Sequence, residues 1–204
     1  MNIVPLEVGA EEEIATMAAD VLRHGGVVLF PTDTLYALGA DALSDAAVDT
    51  VFAIKGRDRL KPIHALVKDE AMAGECGTLN ETGSAILAKA PRGKVSLVVN
   101  KKGGFETGIM RGMQSFGFRI PDHPLCQAML AAFGSPITAT SANAAGADVR
   151  QDLGSILAQL GPAVSLVDLA IDGGELASSL PSTVIDVRTP EAHVLREGAV
   201  HLQA

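Results

Sequence analysis

The stretch VVLFPTDTLYALGAD, residues 27–41, decides the fold class. Its first five residues form a short apolar run closed by Pro31, which is typical of a buried strand. Thr32, Asp33 and Thr34 then bring two hydroxyls and a carboxylate to the carboxyl end of that strand, where open α/β sheets bind ligands. A turn held by local side-chain hydrogen bonds explains the same three residues. The stretch therefore predicts an α/β protein with either a plain turn or one wall of a binding site at this point.

Helical and strand patterns alternate along the rest of the chain. Residues 11–24 place Ile14, Met17, Ala18, Val21 and Leu22 on one helical face, and the pattern ends at Gly25 and Gly26. We predict further helices over 44–54, 124–133 and 152–160, and further strands over 62–67, 95–99, 115–120, 136–141, 163–167, 182–187 and 193–198. Because the elements interleave without a strict βαβ rhythm, we expect an α/β fold on a twisted mixed sheet, with residues 1–204 as a single domain.

Composition narrows the class of protein. The 204 residues include 16 Lys and Arg against 24 Asp and Glu, a formal net charge of −8, and no Trp. This excess of acidic residues argues against broad binding to a nucleic-acid backbone. It is compatible with a local cationic pocket for a small anion. Cys76 and Cys126 fit no metal-ligand spacing, and the five histidines suggest no metal site. With no secretory signal and no apolar run of about 18 residues, we expect a cytoplasmic protein without a membrane partner.

The segment KGRDRLKP, residues 55–62, concentrates cations in this acidic chain. Lys55, Arg57, Arg59 and Lys61 occupy alternate positions, with only Asp58 among them. If the segment is extended, the four side chains lie on one side, where they repel one another unless an anion or water separates them. Arg suits phosphate or carboxylate, and Lys supplies a mobile point charge. The segment predicts either a solvated loop or the wall of an anion pocket.

Four further segments place polar residues at strand ends. Arg119 in FRIPDHP (118–124) lies among apolar neighbours and requires an acceptor, which is either a structural carboxylate or that of a substrate. The segment TATSANAAG (138–146) offers Ser141, Asn143 and free backbone N–H groups to an anion or a nucleoside. LPSTVIDV (180–187) and VLREG (194–198) add hydroxyls and another Arg. No nucleophilic triad or Gly-rich phosphate loop is present, so the parts suit phosphoryl or nucleotidyl transfer, in which the substrate brings its own nucleophile.

In their order along the chain, these motifs resemble those of the YrdC/TsaC family of L-threonylcarbamoyladenylate synthases. The resemblance rests on PTDTLYALGADA, KGRDRLKP, FRIPDHP, TATSAN, PSTVID and LREG, and it spans residues 14–198. It implies a YrdC-like twisted mixed sheet with flanking helices and a large concave cationic cavity. It also implies that L-threonine, bicarbonate and ATP, with Mg²⁺, are converted into threonylcarbamoyl-AMP and pyrophosphate for the t6A37 modification of tRNA. Possible further partners are tRNA and the t6A transfer machinery.

The resemblance also assigns roles to residues. It implies catalytic roles for Lys55 and Arg57, and no metal-ligating residue. It implies ATP contacts for Arg57, Lys61, Ser115, Ser141, Asn143 and Arg196, and L-threonine contacts for Thr34, Arg119, Ala139 and Ser182.

The chain departs from the family pattern in its middle. The family's PGPLT-like segment corresponds to APRGKVSLVV, residues 90–99, where Arg92, Gly93 and Lys94 replace a small, stiff turn and Ser96 replaces Thr. Two alternatives to the synthase therefore stay open. One is a non-catalytic YrdC-like module that binds RNA, and the other is a related enzyme that forms a carbamoyl adenylate from carbamoyl phosphate.

Overall fold

The structure is a computed structural model that describes residues 1–59 and 61–201. Leu60, within the predicted cationic segment, and residues 202–204, within the predicted single domain, lie outside the described residues. The strands are β1 (Asn2–Pro5), β2 (Val28–Pro31), β3 (Tyr36–Gly39), β4 (His64–Leu66), β5 (Gly77–Thr78), β6 (Val95–Lys101), β7 (Ser115–Arg119), β8 (Ile137–Ser141), β9 (Leu169–Asp172), β10 (Thr183–Asp186) and β11 (His193–Arg196). The α-helices are α1 (Glu11–Arg23), α2 (Asp45–Lys55), α3 (Glu70–Cys76), α4 (Glu81–Lys89), α5 (Pro124–Phe133) and α6 (Leu153–Leu160), and 3₁₀ segments span Gly108–Met110 and Gly161–Leu166.

The strands form one mixed sheet in the order β1-β9-β2-β3-β8-β4-β7-β6-β10-β11, with β5 paired to β6. β2 pairs antiparallel with β3, whereas β4 runs parallel to β7 and antiparallel to β8. This arrangement confirms the predicted α/β fold on a mixed sheet. None of the helices within the described ranges is long and apolar enough to cross a membrane.

Strand β2 is buried on both faces, which explains its continuous apolar sequence. Val28 and Phe30 pack into one cluster with α1 and α5, whereas Val27 and Leu29 pack into another with α2 and α6. Helices therefore cover both faces at this end of the sheet, as is usual where an apolar run does not alternate with polar residues. The strand's carboxyl end is consequently held rigidly where the polar residues of the following turn begin.

The helices begin and end where residue types favour it. Ser44, Asp69, Asn80 and Asp152 each cap a helix by accepting a hydrogen bond from a backbone N–H of the first turn. α5 begins with Pro124 and ends at Gly134, whose left-handed φ of 78° suits glycine. The predicted helix bounds at 44–54, 124–133 and 152–160 are confirmed to within one residue.

Other predictions differ from the structure. The predicted strand at 163–167 is wrong, because Pro162 opens a 3₁₀ segment and the strand begins only at Leu169. Met17 is 37% exposed, since the buried face of α1 is formed by Ile14, Ala15, Ala18, Ala19 and Leu22. No pattern described above predicts β3, α3 or α4.

Candidate functional site

A cavity of about 480 Å³ opens along the middle strands of the sheet. Its walls come from the β2–β3 turn, the segment after α2, strands β4, β7 and β8, and the segments flanking β10. It brings together seven of the predicted site residues: Thr34, Arg57, Arg119, Ala139, Ser141, Ser182 and Arg196. Thr32 and Ser96, which the sequence analysis named, also line the cavity, and the structure adds His64, Gln151, Ser178 and Ser179. Residues far apart in sequence thus meet in one polar cavity.

Three guanidinium groups, of Arg57, Arg119 and Arg196, line the cavity. Burial lowers the pKa of Arg57, and burial together with the charge of Arg119 lowers the pKa of Arg196. Arg57 Nη2 donates to the Pro62 carbonyl at 3.1 Å, and its Nε is buried without a hydrogen-bond partner among the residues that the structure describes. Arg196 Nη2 donates to the Ser182 carbonyl at 2.6 Å. Because like charges are brought together and donors are left over, the cavity is suited to an anionic ligand.

The four alternate cations do not lie on one side, so that prediction is wrong. Lys55 is the last residue of α2, and Gly56 then takes a left-handed φ of 57° that turns the chain. Arg57 points into the cavity, whereas Arg59 pairs with Asp49 on the surface and its guanidinium lies 5.9 Å from the centre of the Phe52 ring. Lys61 is exposed next to the lining residue Pro62 and is itself outside the lining.

Lys55 is buried behind the cavity wall. Its Nζ donates to the carbonyls of Ser141 and Asn143, the latter at 2.8 Å, and to Asn143 Oδ1 at 3.0 Å. Burial, with a smaller contribution from the charge of Arg57, lowers its pKa to about 8. Its own carbonyl accepts from Ala145 N at 2.8 Å. Lys55 therefore ties the end of α2 to the loop after β8, and neither Lys55 nor Asn143 lines the cavity.

Arg119 has a structural carboxylate as its acceptor, and it also reaches the cavity. It forms an ion pair with Asp33, with distances of 2.7 and 2.8 Å from Nη1 to the two carboxylate oxygens, and it also lines the cavity. Phe116 and Phe118 alternate with Arg119 along β7 and point into the core. The ion pair therefore leaves one side of the guanidinium towards the cavity.

Hydroxyl groups form pairs around the arginines. Ser96 Oγ and Ser182 Oγ lie 2.8 Å apart, and Thr32 Oγ1 and Thr34 Oγ1 lie 3.1 Å apart. Ser179 Oγ donates to the Thr34 carbonyl at 2.6 Å, which ties the segment before β10 to the β2–β3 turn. Ser96, from the divergent middle segment, thus keeps a place in the cavity beside Ser182.

His64 is a cavity residue whose strand pattern gave no chemical signal. In β4, His64 pairs with Ala139 of the neighbouring strand β8. Its ring lies against Gly117, where a Cβ atom would overlap the ring. Burial, and then the charges of Arg196, Arg57 and Arg119, lower its pKa to about 4. His64 also borders a second cavity of about 170 Å³, and that cavity contains Ser115. Of the predicted site residues, Ser115 therefore faces this neighbouring space.

Comparisons with known proteins show what this chain is similar to. The family model Sua5_yciO_yrdC, described as "Telomere recombination", matches residues 20–198. The threonylcarbamoyl-AMP synthase of Chromohalobacter salexigens is 31% identical over 184 residues, which cover 88% of this chain and 97% of that protein. The threonylcarbamoyl-AMP synthase of Mus musculus is 31% identical, and the alignment covers 91% of this chain and 69% of the mouse protein. The crystal structure of Pyrococcus abyssi Sua5 complexed with L-threonine superimposes with a TM-score of 0.86 at 27% identity, over 97% of this chain and 57% of that one.

Proposed function

Because the chain belongs to the Sua5/YciO/YrdC family, we propose that it forms threonylcarbamoyl-AMP and pyrophosphate from L-threonine, bicarbonate and ATP. The observation that carries this proposal is the single cavity in which Arg57, Arg119 and Arg196 meet the hydroxyls of β2–β3 and β10. The names of the relatives and the threonine complex of Sua5 support it. The reaction is a nucleotidyl transfer, and its product serves t6A37 formation in tRNA together with the t6A transfer machinery. We further propose a cytoplasmic location and a single domain.

In this proposal Arg57 and Arg196 bind the phosphates of ATP. The amino group of L-threonine first forms a bond to the carbon of bicarbonate and water leaves, which gives the carbamate. A carbamate oxygen then attacks the α-phosphate of ATP, and the bond from that phosphorus to the bridging oxygen breaks, so that pyrophosphate leaves. No covalent intermediate with the protein is needed. The two guanidiniums are placed to stabilise charge on the phosphates, as fixed donors do in such transition states. Mg²⁺ would enter with the phosphates of ATP, as part of the nucleotide substrate, and would help to neutralise their charge.

In this proposal Arg119, Thr34, Ser182 and Ala139 bind L-threonine. Arg119 takes the carboxylate of L-threonine, and Thr34 and Ser182 offer hydroxyls to its polar groups. Ala139 contributes its backbone from β8, opposite His64. Ser141 reaches the nucleotide directly, whereas Asn143 acts through the loop that Lys55 holds. Ser115 and Lys61 stay proposed nucleotide contacts at the border of the cavity.

The direct test is pyrophosphate release by the purified protein with ATP and Mg²⁺. L-threonine and bicarbonate are omitted in turn, and a boiled sample serves as the control. We expect release only when both are present, with threonylcarbamoyl-AMP detected by mass spectrometry. Release with neither, or none at all, would refute the synthase. Steeply salt-dependent binding of tRNA without turnover would then favour the RNA-binding alternative, and a requirement for carbamoyl phosphate would favour the related carbamoyl-adenylate enzyme.

A further inference from the structure

Asp33 is a buried carboxylate at the edge of the cavity to which the resemblance assigns no role. Its side chain is 6% exposed and that of Arg119 is 8% exposed. Both oxygens of Asp33 contact the same nitrogen, Nη1, at 2.7 and 2.8 Å. The ion pair is therefore largely shielded from water, and Arg119 uses only one of its nitrogens for it. A carboxylate and a guanidinium often pair instead through two parallel hydrogen bonds from two nitrogens.

The donors of Arg119 are used unevenly. Nη1 is fully engaged, because it also donates to the Gly93 carbonyl at 3.0 Å. Within the described part of the chain, Nη2 has only a long contact of 3.5 Å to Thr32 Oγ1, and no hydrogen bond to Nε is found. Since Arg119 lines the cavity, the lightly used side of its guanidinium is the side available to a ligand.

Residues 90–99, the segment that departs from the family pattern, contact Asp33 of the Asp33–Arg119 ion pair. Gly93 has a φ of 75°, and a Cβ atom there would overlap the Asp33 carboxylate. Lys94 Nζ donates to the Asp33 carbonyl at 2.9 Å. The residues that replace the family's stiff turn thus fix Asp33 in two ways, by close approach of Gly93 and by a hydrogen bond to the backbone.

We propose that Asp33 is a positioning residue for amino-acid recognition, which holds Nη1 of Arg119 so that Nε and Nη2 present a fork to the carboxylate of L-threonine. This inference rests on the proposed function. It assigns Gly93 and Lys94 the task of supporting Asp33, and it explains why an arginine already paired with a carboxylate is still able to receive a second one.

The test compares Asp33→Asn with Asp49→Asn by calorimetric titration. Asp49 also pairs with an arginine, Arg59, but on the surface and outside the cavity, so it is the matched control. The ligands are L-threonine, L-threoninamide, which lacks the carboxylate, and ATP with Mg²⁺. We expect Asp33→Asn to weaken L-threonine binding about tenfold or more, since a charge-assisted contact is lost. Binding of ATP should change little, and Asp49→Asn should leave all three affinities unchanged.

The outcomes separate this inference from the proposed function. Threonine-dependent pyrophosphate release by the wild type, combined with unchanged L-threonine affinity in Asp33→Asn, overturns the positioning role alone. Equal losses for L-threonine and ATP also overturn it, because they indicate general damage. No threonine binding by the wild type overturns both.

A measurement on the wild type guards against misfolding of the variant. In spectra of arginine side-chain nitrogens, addition of L-threonine should shift the Nε and Nη2 signals of Arg119. The Nη1 protons should stay in slow rotation, because Asp33 and Gly93 hold them. Movement of the Nη1 signals instead would show that Asp33 yields to the substrate, which contradicts the proposal.

Discussion

At the scale of single residues, we expect loss of Arg57 and loss of Arg119 to affect the use of different substrates. Arg57→Ala removes a donor to the phosphates and should mainly raise the KM for ATP and lower kcat, by about 100-fold in kcat/KM or more. Arg119→Ala should raise the KM for L-threonine. Initial rates with one substrate varied at a time measure both effects, and Arg59→Ala is the control outside the cavity. Normal threonine kinetics in Arg119→Ala would refute its carboxylate role.

Lys55 should behave as part of the framework. Its ammonium has three hydrogens and three oxygen acceptors nearby, so Lys55→Met leaves buried oxygens unpaired and should lower the free energy of unfolding by about 2–4 kcal/mol. The loop carrying Ser141 should loosen, which raises the KM for ATP. Urea unfolding and initial rates measure these effects, with the exposed Lys89→Met as control. Unchanged stability with a large fall in kcat alone would instead indicate a direct catalytic role.

His64 should make the fold sensitive to acid. Its pKa of about 4 in the folded protein lies below the ordinary value of 6.5, so the unfolded chain binds more protons between these values. Stability is therefore lost as the pH falls through this window, by about 2 kcal/mol between about pH 7 and pH 5. Urea unfolding of the wild type and His64→Gln at both pH values tests this. The variant should lose less stability, and equal losses would show that His64 is not the group responsible.

At the scale of secondary-structure elements, Asn80 does more than cap α4. Its Oδ1 accepts from Gly83 N at 2.8 Å, and its Nδ2 donates to the carbonyls of Val187 at 2.7 Å and Thr189 at 2.9 Å. The side chain thus fastens the helix to the segment after β10. Asn80→Ala should cost about 2–3 kcal/mol, against about 1 kcal/mol for Asp152→Ala, whose side chain only caps α6. Equal shifts in the urea midpoints would contradict the fastening role.

The elements that were predictable from sequence are those in which local and tertiary preferences agree. β2 is a short apolar run because both of its faces are buried, and α5 carries Pro124 and Gly134 at its ends. The cationic segment was misread because alternation presumes an extended chain, whereas Gly56 turns it. Residues 36–39 form β3, which no pattern predicted, and Phe30 and Ile137 pack where a Cβ atom of Gly39 would lie.

The candidate site was predictable as a set of residues and not as a geometry. Strand ends marked Thr34, Arg119, Ser141 and Ser182, which the sheet brings together. The partners of Lys55 depend on tertiary packing of α2 against the loop after β8, and His64 faces the cavity only because Gly117 leaves room for its ring. Such contacts join positions that no local pattern connects.

At the scale of the whole molecule, ligands should stabilise the fold. The cavity draws on most of the central sheet, and a ligand that binds only the folded state adds about 2.7 kcal/mol at 100 times its Kd. We expect ATP with Mg²⁺ and L-threonine each to raise the thermal midpoint, by about 2–4 °C per kcal/mol for a chain of this size. Differential scanning fluorimetry measures the shift, and D-threonine is the control. Equal shifts with both enantiomers would indicate binding outside the site.

The position of β11 has a consequence for biosynthesis. Thr34 emerges from the ribosome well before Ser182 and Arg196, which line the same cavity. A nascent chain can therefore collapse around β2, α1 and α5 long before it is able to hold nucleotide, and such late closure of distant contacts is slow. Translation that stalls before residue 196 leaves the β10 edge unpaired and open to aggregation. Completion of the cavity thus waits for the synthesis of residues 182–196.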